Sequence, residues 1–209
     1  MTSSRLEAFS DGVLAIIITV MVLGLAVPKG DGWADLLHTS GLGLLTYLLS
    51  FLFIGIYWNN HHHLFQLNPT VNGAVMWANL HLLLWLSLFP FTTAWLTESG
   101  VSLVPTVVYG VNLLGAGVGY GILQWTMLRQ PGGERLREAL GQDWKGLISP
   151  ILYVLGIGFA FVVPWVGVAF FAAAGVWWLV PDRRVERYLR DHGADAPSGA
   201  ADTDDPALR

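Results

Sequence analysis

Charged and polar side chains of this sequence lie at the edge of a long apolar segment, where burying a charge is energetically unfavourable. Arg5, Ser10 and Asp11 precede a run without charge from Gly12 to Val27. A carboxylate about two turns inside a membrane helix has to be paired, hydrated or turned toward protein. Asp11 could therefore bind a cation, exchange a proton or hold a structural hydrogen bond, and each role requires a partner.

A second polar group closes the next apolar segment, where Trp58, Asn59, Asn60 and His61–His63 follow one another. Three consecutive histidines suggest a metal site, but neighbours on a helix are about 100° apart and cannot all face one ion. We therefore predict no metal site and assign these histidines to an interfacial or hydrogen-bonded network. His81, alone in the third apolar segment, is interpreted as a packing residue rather than a proton relay.

The elements that carry these groups are membrane helices. With 209 residues, of which 54% are hydrophobic and 12% charged, the chain is too apolar for a soluble domain. Cysteine is absent, which excludes disulfides and thiolate chemistry. Pro90 should kink the third segment and Pro164 should divide the last one. The apolar segments predict six spans, near 5–28, 41–65, 71–96, 103–128, 147–163 and 165–181.

The basic residues orient these spans, because Lys and Arg collect on the cytoplasmic side. An even number of spans places both termini in the cytoplasm, with Lys29 alone outside near a span. We predict an all-α, six-span domain over residues 1–190 in the cell membrane and a disordered cytoplasmic tail over residues 191–209. The basic residues assigned to the cytoplasm are Arg5, Arg129, Arg135, Arg137, Lys145, Arg183, Arg184, Arg187 and Arg190.

Shorter features between the spans add three expectations. The segment from Lys29 to Ser40 is predicted to be a short polar loop with at most one amphipathic turn, and Glu134–Trp144 an interfacial helix. The high glycine content of the fourth span is typical of close helix packing. In this topology the first span begins on the side where the second ends, so Asp11 can meet Trp58 and the histidines.

An apolar stripe runs along the first span. Ile16, Val20, Leu23 and Val27 are spaced as neighbours on one helix face, with Thr19 beside them as the hydroxyl at mid-depth. The stripe either faces lipid or another helix, with Thr19 bonded to its own backbone, or it lines a pore. The residue pattern by itself leaves both interpretations open.

The motif Arg5-x-x-x-Phe9-Ser10-Asp11, followed at once by a helix rich in branched aliphatic residues, resembles the signature of the transmembrane protein 175 family of organellar and prokaryotic potassium channels. The resemblance implies a potassium-selective leak channel whose pore lies at the centre of a homotetramer and is lined by the first helix. It also implies a hydrophobic constriction, with Ile16 as the tightest ring, Leu23 next, and Thr19 and Val20 lining the same stretch.

Family members carry a Trp and paired His near the end of the second span, a pattern that Trp58, His61 and His62 match. The resemblance implies a network that fixes the foot of the pore helix and joins these three residues to Arg5, Phe9, Ser10 and Asp11. The expected partners are permeant potassium ions, the lipid bilayer and further copies of the chain, without a cofactor, a metal or nucleic acid.

Two other functions remain open at this point. A proton channel or proton-coupled transporter would use Asp11 and the second-span histidines as titrating groups. A structural membrane protein would transport nothing. No Ser/His/Asp order, HExxH motif or Gly-rich phosphate loop is present, so we do not expect an enzyme.

Overall fold

The computed structural model describes residues 2–140 and 144–179, and within them the chain forms helices joined by turns, without a strand. The residues from 180 onward, which include the predicted tail and its preceding arginines, lie outside the described part. The helices are α1 (Ser3–Leu23), α2 (Trp33–Leu67), α3 (Gly73–Ser87), α4 (Phe89–Glu98), α5 (Leu103–Leu128), α6 (Gly133–Leu140), α7 (Trp144–Ala160) and α8 (Pro164–Leu179).

In the described part of the chain, four helical stretches are long and apolar enough to cross a hydrocarbon core of about 30 Å. They are Ser3–Leu23, Trp33–Leu67, Gly73–Glu98 and Leu103–Leu128, and two shorter apolar helices follow at Ile148–Ala160 and Pro164–Leu179. The chain is therefore a multi-pass, all-helical membrane protein. Each predicted span contains a described helix, but the first ends at Leu23 rather than near residue 28 and the fifth at Ala160 rather than near residue 163. The count of six complete crossings stays a prediction.

Two prolines divide helices where the sequence predicts a break. Pro90 lies at the second position of α4, directly after the break at Leu88 between α3 and α4. Pro164 is the first residue of α8. Proline is tolerated in the first turn of a helix because the N–H groups there have no intrahelical partner. Both predicted break points are thus confirmed.

The predicted loop from Lys29 to Ser40 was wrong beyond Gly32, because α2 already begins at Trp33. Asp35 accepts a hydrogen bond from the Gly32 N–H at 3.1 Å and stabilises this helix start. Glycine at the N-cap position is a weak start signal in a sequence, which explains the error. With 35 residues, α2 is about 52 Å long and exceeds the hydrocarbon thickness.

The predicted interfacial helix Glu134–Trp144 coincides with α6 as far as Leu140. Helix α6 ends at Leu140, residues 141–143 lie outside the described part, and Trp144 opens α7. The Leu136 side chain is fully buried, and α6 packs against α5 and α2. The Leu136 side of α6 therefore contacts the bundle.

Glycines in α5 let neighbouring helices approach closely. A Cβ atom at Gly115 would lie 2.3 Å from the Trp85 ring, and one at Gly119 would lie 3.1 Å from the Leu82 backbone. Helices α3 and α5 are thus in close contact at two glycine positions, where a larger residue would be crowded. Gly121 faces open space and takes no part in this contact.

Buried hydroxyl groups connect α2 to α4 and α5. The Ser50 hydroxyl lies 2.7 Å from the Thr93 hydroxyl and 2.9 Å from the Tyr109 hydroxyl. One turn away, Thr46 and Thr97 lie 2.6 Å apart. Because an unpaired polar group is costly in a membrane interior, these mutual hydrogen bonds fix the helices in register.

Exposed tryptophans mark both ends of the helices. At the end where α1 begins they include Trp77, Trp125 and Trp177, and at the opposite end Trp33, Trp95 and Trp165. Tryptophan is enriched at membrane–water interfaces, where its ring is apolar and its N–H meets water. The two sets fit the two faces of a bilayer.

Candidate functional site on the first helix

Helix α1 has one face that packs within its own chain. Leu6, Ser10, Leu14, Ile17 and Met21 are buried and follow one another at steps of three or four residues. They face α2, α3 and α4. The opposite face of α1 receives no cover from the described chain.

The residues predicted to line a pore all lie on this uncovered face. Ile16 is 64% exposed and Leu23 78%, and Thr19 and Val20 are exposed as well. The Thr19 hydroxyl donates to the Ala15 carbonyl at 2.8 Å, so its oxygen retains lone pairs as acceptors. The exposed stripe continues to the start of the helix in alternating steps of four and three: Arg5, Phe9, Gly12, Ile16, Thr19 and Leu23.

A chain of buried hydrogen bonds, which we call the foot clasp, holds the first turns of α1. His61 Nε2 of α2 lies 2.8 Å from Asn79 Oδ1 of α3, and Asn79 Nδ2 donates to Ser10 Oγ at 2.9 Å. Ser10 in turn donates to the Leu6 carbonyl at 2.9 Å. The foot clasp thus joins three helices through side chains distant in sequence.

The hydrogen positions in the foot clasp follow from the Leu6 carbonyl, which can only accept. The single Ser10 proton is used there, so Asn79 must donate its amide N–H to Ser10. The Asn79 carbonyl then accepts from His61, which places a proton on His61 Nε2. Every donor in the chain points from α2 toward α1.

A second, exposed set of contacts lies beside the foot clasp. The Trp58 indole N–H donates to Asp11 Oδ1 at 3.0 Å and provides the partner that this carboxylate requires. The His62 ring stacks on Trp58 with an interplanar angle of 10°, and its Nδ1 lies 3.6 Å from Glu7 Oε1. Gln66 contacts the other nitrogen of His62 at 2.8 Å.

The predicted network residues thus separate into three groups. Ser10 and His61 meet in the foot clasp, and Asp11, Trp58 and His62 meet on the surface. Arg5 and Phe9 lie on the exposed stripe instead, and within residues 2–140 and 144–179 no ion pair joins Arg5 to Asp11. Successive histidines point different ways because they are about 100° apart on the helix.

Asn79 is the residue that sequence reasoning did not assign to the network. Its partners are 18 and 69 residues away in the chain, so no local spacing connects them. The sequence did contain one signal for this role. Asn79 is an amide side chain inside an apolar span, and such side chains usually form hydrogen bonds to a neighbouring helix. His81, predicted to be a packing residue, accepts a long contact of 3.4 Å from the Trp85 indole N–H.

Comparison with known proteins gives consistent results. The family described as endosomal/lysosomal potassium channel TMEM175 matches residues 5–90. A Chryseobacterium protein named potassium channel is 48% identical, over 92% of this chain and 100% of its own length. A Streptomyces collinus protein, also named potassium channel, is 36% identical over 77% of this chain and 83% of its own length.

A solved structure shares the fold. It is described as a lysosomal potassium-selective channel TMEM175 homolog from Chamaesiphon minutus, and it aligns with a TM-score of 0.72 at 28% identity. The alignment covers 85% of this chain and 96% of that chain. A chicken protein named endosomal/lysosomal proton channel TMEM175 is 31% identical over 54% of this chain, which corresponds to 22% of that protein.

Proposed function

Since this chain belongs to the TMEM175 family of potassium channels, we propose that it conducts potassium through a central pore formed by the α1 helices of a homotetramer. The family consists of ion channels, and the protein is not an enzyme. We further propose six spans with both termini in the cytoplasm. Four long apolar helices, the two shorter ones that follow and tryptophans at both ends support this topology.

The exposed stripe of α1 is the observation that carries the proposal. Ile16 and Leu23 are large apolar side chains that no part of the described chain covers, on a helix whose other face is packed. One chain contributes one such stripe, and a pore needs several around an axis. Closed cyclic symmetry brings identical stripes together, which supports assembly from copies.

The proposed constriction discriminates ions by the cost of dehydration. A ring of Ile16 side chains, with a second ring of Leu23, offers no replacement for the hydration shell and can close by dewetting. Stripping water costs more for sodium than for the larger potassium ion, so the preference for potassium should be modest. The acceptor lone pairs of Thr19 could replace part of the shell between the two rings.

The contacts at the start of α1 are proposed to be structural rather than ion-binding. Asp11 is engaged by Trp58, and Ser10 is held in the foot clasp, so both side chains are used in joining helices. A carboxylate that accepts an N–H bond is stabilised at the edge of the membrane. These contacts would hold each α1 at a fixed angle to its own subunit while its stripe faces the pore.

Reversal potentials and single-channel currents of purified protein in lipid bilayers test the proposal. We expect a potassium current that needs neither substrate nor proton gradient. Ile16→Asn should wet the constriction and raise conductance, and Thr19→Val should reduce the preference for potassium. Val22→Asn is the matched control, because Val22 is exposed on the same helix about 120° from Ile16.

Unchanged conductance in Ile16→Asn, together with unchanged selectivity in Thr19→Val, would mean that α1 does not line the pore. An effect of Val22→Asn as large as that of Ile16→Asn would likewise contradict the assignment of the stripe. The oligomeric state is tested separately by the mass of active protein. A conducting monomer is incompatible with the proposal.

Proton conduction is the second candidate function, favoured by the partial match to a relative named as a proton channel. Asp11, Glu7 and His62 lie together at the surface where α1 begins and would be the titrating groups. A proton flux that persists without potassium and disappears in Asp11→Asn would support it. A flux of potassium alone would exclude it.

A further inference from the structure

A cavity of about 420 Å³ lies between α1, α2 and α4, at the end of the bundle opposite the start of α1. Its walls come from the last turns of α1, the first half of α2 and most of α4. The volume falls within the range of about 300–1,000 Å³ that is typical of small-molecule sites. The cavity is therefore large enough for an organic molecule, and it is separate from the foot clasp at the other end.

The walls of the cavity change from polar to apolar with depth. Helices α1 and α4 run toward this end and α2 runs away from it, so the position of a residue along its helix gives its depth. The polar residues of the outer level are Thr39, Ser40, Thr97 and Glu98. The apolar residues of the deeper level are Val20, Met21, Pro90 and Phe91. From residue 90 to residue 98 the helix rises about 12 Å, so a fitting molecule has a polar head above an apolar body of that length.

The charge of the outer level selects the charge of the head. Among the described residues that line the cavity, Glu98 is the one side chain charged at neutral pH, and no ion pair within the described ranges engages it. The Thr97 hydroxyl donates its proton to the Thr93 carbonyl at 2.9 Å, so its oxygen is an acceptor toward other groups. A carboxylate and a hydroxyl oxygen together suit an ammonium group, which is cationic and carries N–H donors.

Tryptophans indicate the level of the head in the membrane. Trp33 and Trp95 are exposed at this end, and Glu98 follows Trp95 by about one turn of α4. Exposed tryptophan rings prefer the boundary between headgroups and acyl chains. Glu98 thus lies at headgroup level, and the apolar part of the cavity extends below it to the depth of the acyl chains.

We infer that this cavity binds an amphipathic primary amine, which is a single aliphatic chain with an ammonium group at one end. The ammonium group pairs with Glu98, and the chain lies along the apolar walls toward Val20 and Phe91. A phospholipid headgroup fits less well, because its phosphate would lie beside Glu98 without a cationic side chain in the described lining. The inference goes beyond the proposed channel function, because it concerns binding and requires no conduction.

A binding measurement on the whole protein tests this inference. The protein is placed in nanodiscs of phosphatidylcholine, whose headgroup has no primary amine, and empty discs serve as the blank. The probe is hexylamine that carries a terminal trifluoromethyl group, and its binding is followed by fluorine NMR. Hexanol and hexanoate with the same terminal group show how far binding depends on the positive charge.

Two substitutions in the cavity and one outside it locate the probe. Glu98→Gln should raise the Kd of the amine about fivefold, which corresponds to about 1 kcal/mol for an exposed ion pair. Asp31→Asn is the matched control, because Asp31 is an exposed carboxylate at the same end that does not line the cavity. It should change the Kd less than about twofold. Ala94→Trp places a large ring in the cavity from an exposed position and should abolish saturable binding.

Saturable binding of the amine, with hexanol at least about tenfold weaker and hexanoate absent, is the expected result for a charge-selective site. Equal binding of hexanol, or an unchanged Kd in Glu98→Gln, would overturn the inference by showing a cavity that takes any apolar chain. Unchanged binding in Ala94→Trp would overturn it by placing the amine elsewhere. A lack of saturable binding to the natural protein would overturn it as well.

These measurements separate the inference from the channel proposal. Saturable, charge-selective binding without a potassium current would refute only the proposed function. A potassium current without binding of the amine would refute only the proposed site.

Discussion

Replacing Asn79 by leucine should destabilise the protein by breaking the foot clasp at its centre. The substitution removes the bond to Ser10 and the bond from His61, while Ser10 keeps its bond to the Leu6 carbonyl. The buried His61 N–H then has no acceptor, which costs about 1–3 kcal/mol. Hydrogen bonds between membrane helices contribute about 0.6 kcal/mol on average, so we expect a total loss of about 2 kcal/mol.

Unfolding in mixed micelles of a mild detergent and dodecyl sulfate measures this loss, followed by the fluorescence of the ten tryptophans. Asn59→Leu is the control, because Asn59 is an exposed amide on α2 near the same end. A double-mutant cycle with Ser10→Ala isolates the bond between Asn79 and Ser10. The two substitutions should be non-additive, since the second removes a partner that is already lost.

This reasoning is refuted if Asn79→Leu lowers the free energy of unfolding by no more than Asn59→Leu does. Strict additivity of Asn79→Leu and Ser10→Ala would also refute it, because two residues that share a hydrogen bond cannot contribute independently.

Two further substitutions test other contacts. Trp58→Phe keeps an aromatic ring to stack on His62 but removes the N–H that donates to Asp11. We therefore expect the free energy of unfolding of the oligomer to fall by about 1 kcal/mol, while the reversal potentials stay unchanged. A shifted reversal potential would instead assign ion binding to this contact. Gly115→Ala drives a methyl group into the Trp85 ring and should cost about 1–3 kcal/mol in the same unfolding assay. Gly121→Ala faces open space and should be neutral or slightly stabilising, and equal costs at the two glycines would contradict the packing.

The sequence predicts the helices of this protein well where strong signals bound them. The span predicted at 103–128 agrees with α5 at both ends, and the prolines mark the two breaks. The start of α2 was missed because its N-cap is a glycine rather than a Ser, Thr or Asp. Local chemistry therefore predicts an element only where its ends carry a recognised signal.

The faces of α1 were harder to predict, for a physical reason. The helix is apolar on all sides, so its periodicity does not tell the packed face from the exposed one. Ser10 is buried although it is polar, and Leu23 is exposed although it is apolar. The partner of Ser10 depends on the register of three helices, which no single segment encodes.

The proton on His61 Nε2 has a consequence for acid tolerance. This nitrogen donates to Asn79 when the ring is neutral, and it still donates when the ring gains a second proton on Nδ1. The foot clasp therefore loses no hydrogen bond when the surroundings become acidic. A histidine that accepted through Nε2 would break the same chain on protonation, whereas the direction of this hydrogen bond makes the foot clasp compatible with either protonation state of His61.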